Sequence, residues 1–316
     1  MTTWGVIATI KAETAMILRF AAHHLELGAS RVYVYLDAPN PQAQALLRDH
    51  PKCRVVRTDD GYWTRHNGTR PPMHQPRQTF NATRAYHRAT EVDWLMHMDV
   101  DEFLVSQGQI AAHLAALPDT VQCARARPME LLAGGDPQQD AAFKAFIPAG
   151  KSRERTVGAL YPTFGQHLKG GFLSHIAGKI FVRTGTPGIK FRIHNAFLDG
   201  ETNPNHVEMD DIRLAHFHAT DWDRWHAHFG YRHRAGSYRP DLGPARSRDR
   251  GGITMHELFA MIFEQEGAPG LRAFFDEVCA DTPALRARLD AHGCLQRATF
   301  PFDTSVAKHF PTFANI

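Results

Sequence analysis

Two carboxylates, Asp99 and Asp101, stand two residues apart at the end of the apolar run Trp94 to Met98. In an extended segment that spacing projects both side chains to the same side. Carboxylates so placed suit a divalent cation held against a diphosphate, where the ion offsets the charge of a departing nucleotide. The plain alternative is a solvated turn, and Asp221-Trp222-Asp223 is read that way, as a helix start. Context separates the first pair: an apolar strand precedes it, and Glu102-Phe103-Leu104-Val105 follows. His216 and His218 alternate about Phe217 after Leu214-Ala215. In a strand their imidazoles share a face. One of them could complete a metal site, or both could be hydrogen-bonded histidines of a half-buried strand. A mixed carboxylate and imidazole set favours Mn²⁺ or a similar ion, Mg²⁺ being the other expected, over Ca²⁺.

The elements that must position these groups alternate along the first half of the chain. Val6 to Ile10, Arg31 to Leu36, Cys53 to Arg57, Asp93 to Met98 and Val121 to Ala126 read as strands. Glu13 to Leu27, Gln42 to Arg48, Gln75 to Thr90 and Ile110 to Leu117 carry helical periodicity. Such alternation implies right-handed βαβ units and a mostly parallel sheet, whose ligands bind beyond the carboxyl ends of the strands. That rule sets Lys11 to Glu13, Asp37 and Asp99 to Glu102 along one rim. Residues 129–220 are rich in Gly, Pro and short strands, at Lys179 to Arg183, Ile189 to His194 and Ile212 to His218. Thr254 to Glu266, Pro269 to Ala280 and Pro283 to His292 read as helices, and the tail from Phe300 as an irregular strap. The expected organisation is an α/β domain over 1–220 with a helical extension over 221–316 packed on it.

The chain has 316 residues, 43% hydrophobic and 22% charged, which is globular composition. Its 36 basic and 33 acidic residues leave a net charge of +3, too weak for a dedicated nucleic-acid binder. No apolar run approaches the roughly 18 residues of a membrane helix. No basic region precedes an apolar stretch at the N-terminus, so a cytoplasmic location is expected. Cys53, Cys123, Cys279 and Cys294 are scattered, without the spacing of a disulfide framework or thiolate zinc site. Walker-type phosphate loops are absent.

Lys11-Ala12-Glu13, His23 to Gly28 and Val32 to Asp37 resemble the opening of a family-2-like glycosyltransferase. Trp94 to Leu104 resembles that group's D-x-D-E-F segment. Gly178 to Arg183, Ile193-His194-Asn195 and His216 to His218 resemble its later landmarks, in the same order. The resemblance spans about residues 4–240. It implies a GT-A fold, a Rossmann-like nucleotide-binding sheet flanked by helices. It also implies metal-assisted transfer from a nucleotide-sugar donor, UDP- or GDP-linked, usually with inversion. Asp99 and Asp101 become the donor and metal motif, His216 or His218 the later ligand, and Glu13 and Asp37 neighbours of the nucleoside. Relatives often carry Asp-Asn after the second strand, whereas Ala38-Pro39 follows Asp37 here.

Further candidates come from position alone. Lys179 and Arg183 alternate in a strand and either face the diphosphate or line a solvated face. Arg77 and Gln78 lie near the rim, within reach of a phosphate or sugar hydroxyl. Glu130, after the strand that follows the carboxylate motif, is the candidate general base for the acceptor hydroxyl, beside Asp101 in the catalytic set. Arg224, Arg232, Arg234, Arg239, Arg246, Arg248 and Arg250 form a basic segment. It is either a solvated face or a site for an anionic acceptor, or for peripheral docking at an anionic membrane surface. The resulting expectation is transfer of a sugar to a glycan or lipid-linked glycan. Its rivals are a metal-dependent phosphodiester or pyrophosphate hydrolase and a polyanion-binding module.

Overall fold

The computed structural model describes residues 1–314. The chain forms two compact units, each assembled from separate stretches. The first comprises Met1–Arg127, Ala177–Leu214 and the chain from Phe300 onward; the second comprises Pro128–Ile176 and Ala215–Thr299. These limits do not follow a single cut near residue 220. The class is mixed α/β, as the alternating pattern requires.

The first unit opens with β1 (Trp4–Ile10), α1 (Thr14–Glu26), β2 (Arg31–Leu36), α2 (Pro41–Asp49) and β3 (Cys53–Arg57). It continues with α3 (Asp60–Asn67), α4 (His74–Tyr86), β4 (Trp94–His97) and β5 (Glu102–Ser106). Strands β4, β1, β2 and β3 lie side by side and parallel. All seven residues of β1 are buried, as expected for a strand covered on both faces. Local chemistry sets the helix starts. Asn40 Oδ1 accepts from Ala43 N at 3.0 Å ahead of Pro41, and Asp59 Oδ1 accepts from Tyr62 N at 2.9 Å. Lys179–Arg183 adds to β4 antiparallel, and Cys123–Ala126 pairs antiparallel with it in turn.

That last approach depends on Gly178, whose φ is +69° and whose added Cβ would stand 2.1 Å from the Ala126 carbonyl oxygen. Gly178→Ala is expected to lower stability by about 3 kcal/mol, combining positive-φ strain with overpacking. Gly185→Ala is the comparison, because φ is +89° there and an added Cβ meets nothing within 4 Å. Urea denaturation of the two variants checks this; equal losses would show that the strands part at little cost.

Several elements differ from the sequence expectation. The tail is helical over Phe302–His309, with Phe302, Ser305 and Val306 buried at helical spacing. Pro301 and Pro311 bracket this short pattern and mask it as a strap. Only Lys190–Phe191 is extended within Ile189 to His194, and it pairs with Ala196–Leu198. The strand expected at Ile212 runs over His206–His216. In the second unit, Ala141–Ala145 pairs with Met129 to Leu131 and with Leu295–Ala298. Its core gathers Trp225, Tyr238, Phe259, Phe274, Phe275 and Leu285. Helical residues Met255–Val278 are interrupted at Gly267 (φ 63°, ψ −145°), where the sequence had placed a break before Pro269.

Candidate functional site

The candidate site of the first unit is built where β4 ends. Asp99 and Asp101 follow Met98 and are half-buried. Lys179, from the neighbouring antiparallel strand, reaches Asp99 Oδ2 with its Nζ at 2.7 Å and Glu102 Oε2 at 3.1 Å. Gln78 Nε2, on α4, donates to the other Asp99 oxygen, Oδ1. The Asp99 backbone N–H donates to Glu102 Oε2 at 2.8 Å. Burial would raise the Asp99 carboxyl, but the adjacent Lys179 ammonium holds it well below the usual carboxylate range. The same two carboxylates raise the Lys179 ammonium against its own burial. His97 is buried in β4, where its Nδ1–H donates to Arg192 O at 3.0 Å.

Lys179 thus occupies a different place from the one read off strand alternation. Its side chain is 0% exposed, so it faces neither solvent nor a bound diphosphate. Arg183, on the same strand, lies over the Trp94 ring at 4.4 Å and donates to Val121 O at 3.0 Å.

A second group of residues gathers around Asp37 at the end of β2. Arg77 Nε donates to both of its carboxylate oxygens at 2.9 Å, Arg70 donates at 3.0 Å, and His74 Nδ1 lies 3.2 Å away. Against its burial, these donors hold the Asp37 carboxyl well below the ordinary range. Arg77 also donates to the carbonyls of Pro71 and Pro72, each at 2.9 Å, so Asp37 ties down the loop before α4. The sequence reading named Asp37 and Arg77 separately and missed Arg70 and His74. Lys11 and Glu13 line an open cavity of about 340 Å³ with Leu36, Ala38, Pro39 and Asn40, the residues that flank Asp37 in the chain.

His216, His218 and Glu130 belong to the second unit. The His216 and His218 rings are 5.3 Å apart, and His175, which the sequence reading did not single out, lies 5.1 Å from His216. Tyr238 and His218 share a hydrogen bond of 2.8 Å between Oη and Nε2. Glu130 is buried in an ion pair with Lys144 and accepts from the backbone N–H groups of Leu173 (3.0 Å) and Ser174 (2.7 Å). Burial would raise its carboxyl, but Lys144 and then His218 hold it well below the usual range. A carboxylate so stabilised in its charged form is a weak proton acceptor, which argues against Glu130 as general base.

Carboxylate and carbonyl partners take up much of the arginine segment. Arg239 pairs with Asp241 at 2.8 Å, Arg248 with Glu257 at 2.8 Å, and Arg250 with Glu154 at 2.8 Å. Arg246 lies 3.9 Å from Glu154, and Arg232 donates to His218 O at 2.9 Å. These pairs match the solvated-face reading better than a bare polyanion surface. Among the described residues, no helix is long and apolar enough to cross a membrane.

Residues 7–119 match the model of the family described as Glycosyltransferase family 92. No curated protein sequence matches the chain. Among solved structures, the chain is similar to HddC from Yersinia pseudotuberculosis, at 10% identity and a TM-score of 0.34, over 68% of this chain and 93% of that one. It is similar to the galactosyltransferase LgtC in complex with donor and acceptor sugar analogues, at 9% identity and a TM-score of 0.28, over 57% of each chain. It is also similar to GalNAc-T7 with UDP, GalNAc and Mn²⁺, at 10% identity and a TM-score of 0.39, over 98% of this chain and 58% of that one. The chain spans little more than half the length of the last two. The family-matched stretch is that of a glycosyltransferase, and it carries Asp37, Arg77, Gln78, Asp99 and Asp101. The family matched is 92, not the family-2-like group that the sequence resembles.

Proposed function

We propose that the protein is a metal-dependent glycosyltransferase that moves a sugar from a UDP- or GDP-linked donor to a hydroxyl of a glycan or lipid-linked glycan, with inversion. The observation that carries this reading is the pair Asp99 and Asp101 at the end of β4, inside the segment that matches a glycosyltransferase family. The donor set fits Mn²⁺ or Mg²⁺: both residues offer hard carboxylate oxygens, and each Asp99 oxygen keeps lone-pair capacity beyond the bond it accepts. The bound ion would supply charge neutralisation for the leaving diphosphate. The chain's own part is to present Asp99 ionised and oriented, and to seat the nucleoside by the cavity lined by Lys11 and Glu13.

Thermal unfolding with UDP or GDP, with and without Mn²⁺, tests the reading. A ligand at about 100 times its Kd stabilises the folded state by about 2.7 kcal/mol. We expect the nucleotide to give that gain only when Mn²⁺ is present, beyond any gain from Mn²⁺ alone, and we expect Asp101→Ala to abolish it while leaving the unliganded transition in place. Stabilisation that persists in Asp101→Ala would remove the carboxylate pair from the donor site. Release of free sugar at the same rate with and without acceptor would favour hydrolysis over transfer.

A further inference from the structure

We propose that Lys179 is a positioning residue of the donor site, an internal ammonium that fixes the Asp99 carboxylate for the cation that Asp99 and Asp101 take. The inference rests on the glycosyltransferase reading above. Lys179 is 0% exposed, Glu102 is 0% exposed, and the Asp99 side chain keeps 29%. Asp99 is therefore the one member of this triad with a solvent-facing part, and the other two stand behind it.

The grip on Asp99 comes from three directions. Lys179 Nζ holds Oδ2 at 2.7 Å, Gln78 holds Oδ1, and Glu102 Oε2 accepts from the Asp99 backbone N–H at 2.8 Å. Lys179 closes the figure by reaching the same Glu102 oxygen at 3.1 Å. A carboxylate held at both oxygens and at its own N–H has little torsional freedom left. Any cation it binds meets a prepared ligand instead of one that must be ordered on binding.

Lys179 is also the ammonium that faces both the Asp99 and the Glu102 carboxylate. The position of Lys179 is itself fixed. Its strand pairs with β4 with Phe181 opposite Met96, and the close approach at Gly178 sets where that strand begins.

Lys179→Met alone leaves the buried Glu102 and Asp99 carboxylates without their shared ammonium, so it is expected to unfold the site. Lys179→Met with Glu102→Gln removes opposite charges together and nearly conserves volume, so this double variant is expected to fold with a Tm near that of the parent. The readout is Mn²⁺ binding to the protein without nucleotide, followed by the electron paramagnetic resonance of free Mn²⁺. Loss of an outer partner of a metal ligand typically costs 10- to 100-fold in affinity, and that range is expected for the double variant. Glu102→Gln alone keeps the Lys179 to Asp99 bond and is expected to bind Mn²⁺ at least fivefold more tightly than the double variant. Equal Mn²⁺ affinity in the parent and the double variant would overturn the proposal and reduce Lys179 to a counter-charge for Glu102. Equal weakening in Glu102→Gln and the double variant would overturn it as well. Absence of Mn²⁺ binding by the parent protein would instead overturn the metal-dependent reading on which the proposal rests.

Discussion

Replacing Lys144 with Met is expected to destabilise the second unit by about 3–5 kcal/mol, the usual cost of leaving one member of a buried ion pair uncompensated. Lys144 is 1% exposed and Glu130 2% exposed. Removing the ammonium strips Glu130 of its strongest partner while the Leu173 and Ser174 N–H groups still hold the carboxylate in place. Lys144 itself also donates to Val278 O at 3.1 Å, a bond lost in the variant. The double variant Lys144→Met with Glu130→Gln is expected to recover most of the loss. Its amide oxygen still accepts from one backbone N–H, and no charge remains buried. Urea denaturation of the parent, single and double variants completes the cycle. A single variant within 1 kcal/mol of the parent would show that solvent reaches Glu130. The same variants address catalysis. Transfer by a folded double variant at the parental rate would settle that Glu130 is no proton acceptor.

Acidification is the second large effect. Burial pushes the imidazoles of His23 and His97 down to about 4 from their ordinary 6.5. His24, buried beside His23, lies well below the ordinary value as well. All three are neutral in the folded chain at neutral pH. Below pH 6.5 the unfolded chain binds protons that the folded chain does not, so stability falls as pH falls from 6.5 toward 4 and is fully present above 6.5. At pH 5 the loss is about 2 kcal/mol for each of His23 and His97, and His24 adds to it. A total of about 4 kcal/mol or more is a large part of the 5–15 kcal/mol that holds most domains together. The depressed carboxyls of Asp37, Asp99 and Glu130 act lower, as pH falls through 4 and below, so the interval from 6.5 to 5 isolates the histidines. Urea midpoints at pH 7.5 and pH 5 measure the effect, and His23→Leu is expected to flatten the slope by about one proton. A change below 1 kcal/mol between the two pH values would mean that these imidazoles are hydrated in the folded protein.

The sheet of the first unit was legible because its strands are apolar runs and its helix starts carry local signals, as at Asn40-Pro41. The carboxylates were legible for the same reason, since an apolar strand that ends in charge has one place to put that charge. Depth was not legible. Alternation along Lys179 to Arg183 reports which face a side chain takes and is silent about whether that face meets water. Partnership across the chain was equally hidden. Nothing local in Arg70 or His74 announces that both converge on Asp37, more than thirty residues away in sequence. His175 sits in an irregular stretch without periodicity, so only the fold brings its ring near His216. The reading of Glu130 as a base failed to foresee Lys144, which arrives from the adjacent antiparallel strand.

The discontinuity of the first unit bears on how the chain is made. Helix α1 has its partner in Phe302–His309, and Arg19 meets Asp303 at a separation of 284 residues. The ring of His23 lies 6.0 Å from Phe302, and Phe103 lies 4.7 Å from the same ring. Until a ribosome has passed residue 302 those aromatic surfaces have no cover, because the segment that covers them follows the whole second unit in the sequence. Contacts of such long range are slow to form and leave apolar surface open in the interval. The first unit is therefore completed only after all of the second unit has been synthesised, and until then its aromatic surface is of the kind that chaperones hold.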